Sequence, residues 1–209
     1  MAITRIGPVR TGLPILTGIL LSGSVLTSGA GAAPAHHPAQ GSIKSVVLTT
    51  VDVAHIYGGT FKPFIDGVIS NKYLASTEKT AIASGLSVAS SGRVTGYDSV
   101  WISGSRTNHL SVTNAVNEYR SSSYPHLEFS QFTHRGKTPK GFRLTSFSGV
   151  GDEALMLTSS RGRTGGLGII FRRGRYLVDV IVGAQHGTLS LSRLTKLAAI
   201  EDQRIQAHG

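Results

Sequence analysis

Hydrophobic and polar positions along the chain switch between helical and strand periods, which predicts a domain built from both kinds of element. Thr49 and Asp52 stand at capping-box spacing ahead of Gly58, so 48–57 is predicted to form a short helix. From Ser190 onward, apolar side chains recur on one face of a predicted terminal helix. They are Leu191, Leu194, Ala198 and Ile205.

The middle of the chain predicts an early strand, two more helices and then several strands in quick succession. Residues 93–102 are rich in β-formers and predict a strand, in which Gly96 marks a bulge. Apolar spacing predicts an amphipathic helix over 108–120, and a further helix is expected within 73–84 after an irregular stretch over 60–67. The apolar residues of 108–120 at this spacing are Val112, Ala115, Val116 and Tyr119. The strand-like segments are 127–133, 142–147, 153–159 and 166–182.

The last of these segments predicts a β-hairpin with Arg173-Gly174 as its two-residue turn, because glycine supplies the positive φ that such turns need. Counting outward pairs Phe171 with Tyr176, Ile169 with Val178 and Leu167 with Val180, and it places these six side chains on one face. The reverse face mixes apolar residues with charged ones: Ile170, Leu177 and Ile181 beside Arg172, Arg175 and Asp179. Both faces are therefore expected to be covered. The predicted fold class is α+β, an antiparallel sheet with helices packed on both faces.

Three short motifs carry a resemblance to known proteins. Gly151-Asp-Glu-Ala-Leu155, Ile169-Ile-Phe-Arg-Arg-Gly-Arg-Tyr-Leu-Val-Asp-Val180 and the terminal helix resemble a diffuse group of bacterial secreted proteins. The group includes substrate-binding or sensor-like lipoproteins of actinobacteria and the PsbP-type α/β/α sandwich. Arg93-Val-Thr-Gly-Tyr97 is similar to the first strand of exported proteins of this kind. The resemblance covers 48–207 and implies a PsbP-like fold rather than a reaction.

The N-terminal pattern predicts a secretory signal peptide over 1–32. Arg5 and Arg10 form a basic segment, an apolar stretch follows, and Ala30-Gly31-Ala32 provides the small residues of a cleavage site. The apolar stretch has about 14 residues, too few for a bilayer-spanning helix of about 20. No cysteine follows it, which excludes the lipid anchor that many of the similar lipoproteins carry.

The N-terminal pattern divides the chain into three predicted segments and predicts where the protein is located. Residues 33–44 are small and contain proline, so they are expected to form a flexible linker between the signal peptide and a single α+β domain over 45–209. The mature protein is expected to be secreted, with no transmembrane segment.

Composition narrows the chemistry further. Hydrophobic residues make up 40% of the 209 residues, enough for a folded core, and cysteine is absent, which excludes disulfides and thiolate chemistry. The eight histidines form neither H-x-H nor H-E-x-x-H, so no folded metal site is predicted. One conditional site is left open: cleavage after Ala33 would expose Pro34-Ala35-His36, a nitrogen set that suits Cu(II). Cleavage after Ala32 would exclude it.

No catalytic residues and no cofactor are predicted. A G-x-S-x-G elbow is absent, and Thr164-Gly-Gly-Leu-Gly168 lacks the lysine of a phosphate-binding loop. Asp152 and Glu153 are adjacent on a strand and point to opposite faces, so Asp152 is interpreted as ordering a turn.

The excess of basic over acidic residues suggests that the protein binds an anionic partner. Lys and Arg total 21 against 11 acidic residues, a net charge of +10. Five arginines are predicted to lie at the same end of the sheet and to attract an anionic envelope polymer. They are Arg161, Arg163, Arg172, Arg173 and Arg175. Nucleic acid is not expected, because the basic residues lack interleaved aromatics. The alternative interpretation is that these arginines are solvated charges at an edge of the sheet.

A second candidate surface lies on the first long strand. Tyr97 and Trp101 share one face with the small Ser99 between them, so they are candidates for a ligand groove or for packing between the sheet and a helix. The interpretation favoured by these patterns is a secreted, non-enzymatic binding or sensor-like domain at the cell envelope, for a small ligand or an anionic polymer. The alternative is an extracellular hydrolase with an unidentified serine nucleophile.

Overall fold

A computed structural model describes residues 41–72, 92–105, 108–134, 142–161, 164–185 and 189–208. Its helices are α1 (Gly41–Val46), α2 (Thr50–Tyr57), α3 (Ser123–His134) and α4 (Leu191–His208). Its strands are β1 (Lys62–Ile69), β2 (Arg93–Ser105), β3 (Asn108–Tyr119), β4 (Phe142–Phe147), β5 (Glu153–Arg161), β6 (Thr164–Arg173) and β7 (Tyr176–Gln185).

The seven strands form one sheet in the order β1-β2-β3-β7-β6-β5-β4, and every neighbouring pair is antiparallel. Two meanders, β1–β3 and β4–β7, meet where β3 pairs with β7. The chain passes from the first meander to the second through α3. Strands β3 and β7 are buried along most of their length, and they lie side by side near the middle of the sheet.

The two faces of the sheet are covered differently. The helical face, to which Val112 and Val116 of β3 point, packs against α1, α2 and α4 through a cluster that includes fully buried Phe171, Leu194 and Leu197. The α3 face carries a second, smaller cluster. Its buried members are Tyr119, Phe129, Leu155, Ile170 and Leu177.

The prediction of a PsbP-like sandwich with helices on both faces is wrong. The fold is a single antiparallel sheet, and on its α3 face the described residues supply only α3, which packs against β6 and β7. The physical reason lies in the side chains of that face. Asp98, Asn117 and Asp179 replace the continuous apolar surface that a layer of helices needs.

For two segments, the type of secondary structure predicted from the sequence is wrong. Residues 108–120, predicted as a helix, form strand β3, and 127–133, predicted as a strand, lie in α3. β3 is buried on both faces, so its apolar residues lose the simple alternation of a strand and mimic helical spacing. Pro125 lies in the first turn of α3, where its missing N–H needs no partner. Residues 62–69, predicted to be mostly irregular, form edge strand β1.

The elements with strong local signals are confirmed. At the start of α2 the Asp52 carboxylate accepts the Thr49 N–H at 2.7 Å and the Thr49 hydroxyl accepts the Asp52 N–H at 3.3 Å. The helix ends at Tyr57, before Gly58 with φ of 75°. The terminal helix and strands 142–147 and 153–159 are also confirmed.

Some predicted segments lie wholly or partly outside the described residues. These are the signal peptide 1–32, most of the linker 33–44 and the helix 73–84; residues 41–44 lie in α1. The bulge predicted at Gly96 falls instead between Arg93 and Thr95.

The β6–β7 hairpin is confirmed, but its turn lies one residue further along the chain than predicted. Gly174 and Arg175 form the turn, Gly174 has φ of 54°, and Phe171 pairs with Val178 rather than with Tyr176. Moving the turn by one residue keeps the parity of the two strands. The strand residues therefore keep their predicted faces, while each predicted partner is wrong. Arg175, predicted for the reverse face, lies in the turn and contacts Glu118.

Candidate functional site

The candidate arginines that the structure describes do not all lie together. Arg161 ends β5 beside the start of β6, whereas Arg172, Arg173 and Arg175 surround the other end of β6. A strand of ten residues separates the two groups by about 30 Å. The prediction that they share one end of the sheet is therefore wrong. The side chain of Arg161 and all of Arg163 lie outside the described residues.

Arg172 and Arg173 are already paired with carboxylates. Arg172 contacts Glu153 at 2.9 Å and Asp152 at 3.2 Å. Arg173 donates two hydrogen bonds of 2.7 Å to Asp202 and one of 2.9 Å to Asp152. The hydrogen bonds to Asp202 raise the pKa of Arg173 above its usual value. These guanidinium groups join strands β5 and β6 to helix α4, and much of their charge is neutralised within the protein.

The same end of the sheet contains three further polar contacts. Arg175 lies 2.9 Å from the fully buried Glu118 carboxylate. Asp152 accepts the Gly174 N–H at 2.8 Å, so it orders the β6–β7 turn rather than its own turn. His126 Nδ1 of α3 lies 3.0 Å from Glu153. The contacts at this end are those of a structural network.

The groove candidates lie in the core. Tyr97 and Trp101 are 4% and 1% exposed and belong to the cluster on the helical face. The Tyr97 hydroxyl donates to Asp66 at 2.9 Å, and burial together with this carboxylate raises the pKa of Tyr97 to about 12. The Trp101 indole donates to Thr50 at 2.9 Å. Their positions match the packing alternative.

Ser99 bears on the hydrolase alternative. Its hydroxyl donates to Asp66 at 3.0 Å, a pairing that resembles an activated nucleophile. However, Ser99 is fully buried between Tyr97 and Trp101, so a substrate cannot approach its hydroxyl. In the described part of the chain, no three His, Asp or Glu side chains are placed to hold a metal ion.

The α3 face carries a group of carboxyls that the sequence reasoning did not single out as a site. Asp98 of β2 and Asp179 of β7 both pair with Ala115 of β3, one from each side, so they lie in one row across three strands. Glu128 of α3 is close enough to both Asp179 and Tyr119 to affect their ionisation. We call Asp98, Glu128 and Asp179 the acidic cluster.

Each member of the acidic cluster has a raised pKa. Burial and then the charges of Glu128 and Asp98 raise the pKa of Asp179 to about 7. Burial raises the pKa of Asp98 and of Glu128, and the Arg93 charge offsets part of both shifts. The Tyr119 hydroxyl also donates a short hydrogen bond to Glu128, which holds that carboxylate in place.

Asp179 is the least compensated member. Its Oδ1 is closed off from solvent and takes no hydrogen bond from the described residues, while the residue as a whole is partly buried. Glu201 and Glu118 also each have one buried oxygen without a partner, but the other oxygen of Glu201 accepts a hydrogen bond of 2.8 Å from Asn114 and that of Glu118 contacts Arg175. A buried carboxyl with no partner costs free energy, and such costs are concentrated at functional sites.

Arg93 lies beside the acidic cluster but is directed elsewhere by its hydrogen bonds. It donates to Asn117 at 2.7 Å, to Asn71 at 2.6 Å and to the Ile69 carbonyl at 3.1 Å. The guanidinium passes over Gly96, where a Cβ would lie only 1.9 Å from it. Arg93 thus lowers the pKa of Asp98 and Glu128 from a fixed position, and it has no such effect on Asp179.

One signal in the sequence pointed to this cluster. Asp179 interrupts the apolar run of β7 at a position far from any turn, where an acidic residue is unusual. The partnership with Asp98 depends on the pairing of β2, β3 and β7, which local patterns do not contain.

No protein-family model and no curated protein matches the chain. Among solved structures, the chain is similar to the extracellular domain of PknH from Mycobacterium tuberculosis, with a TM-score of 0.55 and 12% identity. The match covers 82% of this chain and 98% of that one. The two proteins share a fold. Among the described helices, none is both long enough and apolar enough to cross a bilayer.

Proposed function

We propose that the protein is an exported binding domain of the sensor type, and that its ligand site is the acidic cluster on the α3 face. The observation that carries the proposal is Asp179 in the middle of the sheet, whose Oδ1 is closed off from solvent and has no hydrogen-bond partner among the described residues. Stable folds avoid such groups or pair them, and exceptions are expected where a ligand supplies the missing partner.

The aspartates of the acidic cluster lie among apolar side chains. Ala115, the residue between the two aspartates, is small and buried. Leu177 and Ile181 flank Asp179 along β7 on the same face. A few polar groups converging between apolar neighbours fix the orientation of a ligand.

Two further observations support an extracellular role. The N-terminal residues have the basic, apolar and small-residue pattern of an export signal. The fold is one that an extracellular domain, that of PknH, also has.

Export can be tested with a reporter. We expect residues 1–40 to direct a fused reporter enzyme out of the cell, whereas a fusion with Arg5→Glu and Arg10→Glu should be retained, because the basic segment is required. Retention of both fusions in the cytoplasm would contradict the proposed export of the protein.

Binding can be tested by thermal unfolding of the purified full chain against fractions of envelope extract. We expect at least one fraction to raise the Tm of the wild type, since a ligand at 100 times its Kd adds about 2.7 kcal/mol of stability. Asp179→Asn should lose this shift, and Asp66→Asn, on the helical face, should keep it. A shift that is equal in wild type and Asp179→Asn would place the ligand elsewhere. A shift that only anionic polymer produces would restore the arginines as the candidate site.

A further inference from the structure

We infer that the outer surface of the helical layer, formed by α1, α2 and α4, docks the protein onto an anionic lipid membrane. These helices turn their cations towards solvent and their acids inward, and they cover the opposite side of the sheet from the acidic cluster. The inference therefore goes beyond the proposed ligand site and does not depend on it. It follows from the placement of charge, from the arrangement of the helices and from one exposed apolar side chain.

The acidic residues of these helices are buried or paired. Glu201 is fully buried, and burial raises its pKa well above the ordinary value, which favours the neutral form. Asp202 is 5% exposed and lies 2.7 Å from Arg173 of β6. Asp52 of α2 contacts Arg204 of α4 at 2.8 Å. Within the described residues of α1, α2 and α4, no further acid is present to offset exposed cations.

The cations of the same helices lie on the solvent side. Lys44 of α1 is exposed, and so are Arg193 and Lys196 of α4. In the part of the chain that the structure describes, none of the three forms an ion pair with a carboxylate. Arg193 and Lys196 are three residues apart, so they are neighbours on one side of the helix. A surface with exposed charge of a single sign attracts a partner of the opposite sign.

Helices α2 and α4 lie side by side and antiparallel. At one end, Arg193 donates to the Tyr57 carbonyl at 3.4 Å, and its guanidinium lies 5.8 Å from the centre of the Tyr57 ring. At the other end, Arg204 contacts Asp52. The 18 residues of α4 extend about 27 Å. The paired helices therefore present a long surface, with several cations fixed along it, that can lie along a membrane.

An exposed apolar side chain favours a membrane over a soluble anionic polymer. Val51 of α2 is 76% exposed, and it directly precedes Asp52, the residue that contacts Arg204. Interfacial proteins combine Lys and Arg, which attract anionic lipids, with apolar side chains that enter the boundary between headgroups and acyl chains. A soluble polymer would use the cations alone.

A fluorescent label on the full chain tests the inference. The sequence has no cysteine, so one introduced cysteine labels a single place. Gln203→Cys on α4 carries an environment-sensitive fluorophore, and Ser146→Cys on β4 provides the control position, since both residues are exposed. We expect the label at 203 to brighten with vesicles containing phosphatidylglycerol but not with pure phosphatidylcholine, and the label at 146 to change little. The response should fall steeply from about 0.1 to about 1 M salt, because the Debye length shortens from about 10 to about 3 Å.

Charge reversal tests which residues make the contact. Arg193→Glu combined with Lys196→Glu should raise the vesicle concentration needed for half the response at least 25-fold, since each Lys or Arg beside an anionic surface contributes about fivefold. Lys72→Glu combined with Arg120→Glu is the matched control. It changes the net charge equally at exposed positions outside the helical layer, and it should weaken the response less than about fivefold. Circular dichroism establishes that all variants fold.

Three outcomes would overturn the inference. They are equal brightening at 203 with anionic and with zwitterionic vesicles, equal weakening by the two pairs of substitutions, and binding of soluble polyphosphate without any response to vesicles. The last outcome would assign the helical layer to an anionic polymer instead of a membrane. A ligand that depends on Asp179 concerns the acidic cluster alone, so each of these failures leaves the proposed function as it stands.

Discussion

Asp179 makes the stability of the protein depend on pH. Its pKa in the folded state is about 7, above the ordinary 3.8, so the folded state binds more protons than the unfolded state between these values. Stability contributed by this group is therefore full below about pH 4, falls as pH rises towards 7, and then stays constant.

The substitution Asp179→Asn should remove this loss. We expect it to stabilise the protein at pH 8 by roughly 1–4 kcal/mol and to have little effect at pH 4. Urea unfolding of both proteins at the two pH values measures the difference. A gain of equal size at pH 4 and 8 would show that packing rather than ionisation is responsible.

Arg173, which the sequence predicted to attract an anionic polymer, instead forms an ion pair within the protein. Its partner Asp202 has a side chain only 8% exposed, so removal of the guanidinium leaves a carboxylate buried without its cation. We expect Arg173→Met to destabilise the protein by about 2–4 kcal/mol, measured by urea unfolding.

Two comparison variants make this prediction specific. Arg143→Met changes an exposed arginine on β4 and should alter stability by less than about 0.5 kcal/mol. Arg173→Met combined with Asp202→Asn should recover part of the loss, because the buried charge is gone. If the double variant is no more stable than Arg173→Met, the ion pair is not the cause.

At the scale of elements, local signals predicted what depends on local interactions. The α2 capping box lies within four residues, and the helical period of α4 within 18, so both were predicted correctly from the sequence. Parity along β6 and β7 likewise predicted which side chains share a face, although the turn lies one residue further along. The type of β3 and the acidic cluster depend on long-range strand pairing, and the sequence pattern predicted neither.

The position of the β6–β7 turn gives a prediction for the hairpin. Gly174 has φ of 54°, and a Cβ at this position would meet no atom within 4 Å, so only the backbone conformation opposes a side chain. We expect Gly174→Ala to destabilise the protein by about 1 kcal/mol in chemical unfolding. Gly67→Ala, equally open but without a positive φ, is the matched control and should be nearly neutral or stabilising. Equal effects of the two substitutions would contradict the observed turn.

At the scale of the whole molecule, the two faces of the sheet hold cores of unequal size. Among the described residues, 22 are buried in the cluster of the helical face, with Phe171 at 0% exposure among them. In the same part of the chain, the cluster of the α3 face holds five, including Phe129 at 6% exposure. Because cooperative stability follows the buried apolar contacts that an element makes, α3 should open more readily than the sheet and its three helices on the other face.

Two phenylalanines test this difference. Phe171→Ala should destabilise the whole domain by about 3–5 kcal/mol, because it leaves a cavity where the sheet meets the larger helical layer. Phe129→Ala should mainly release α3, so hydrogen exchange should lose protection in 123–134 while β6 and β7 keep theirs. Native-state exchange followed by mass spectrometry separates the two cases. An equal loss of protection in the sheet after Phe129→Ala would show that α3 folds as one cooperative unit with the rest.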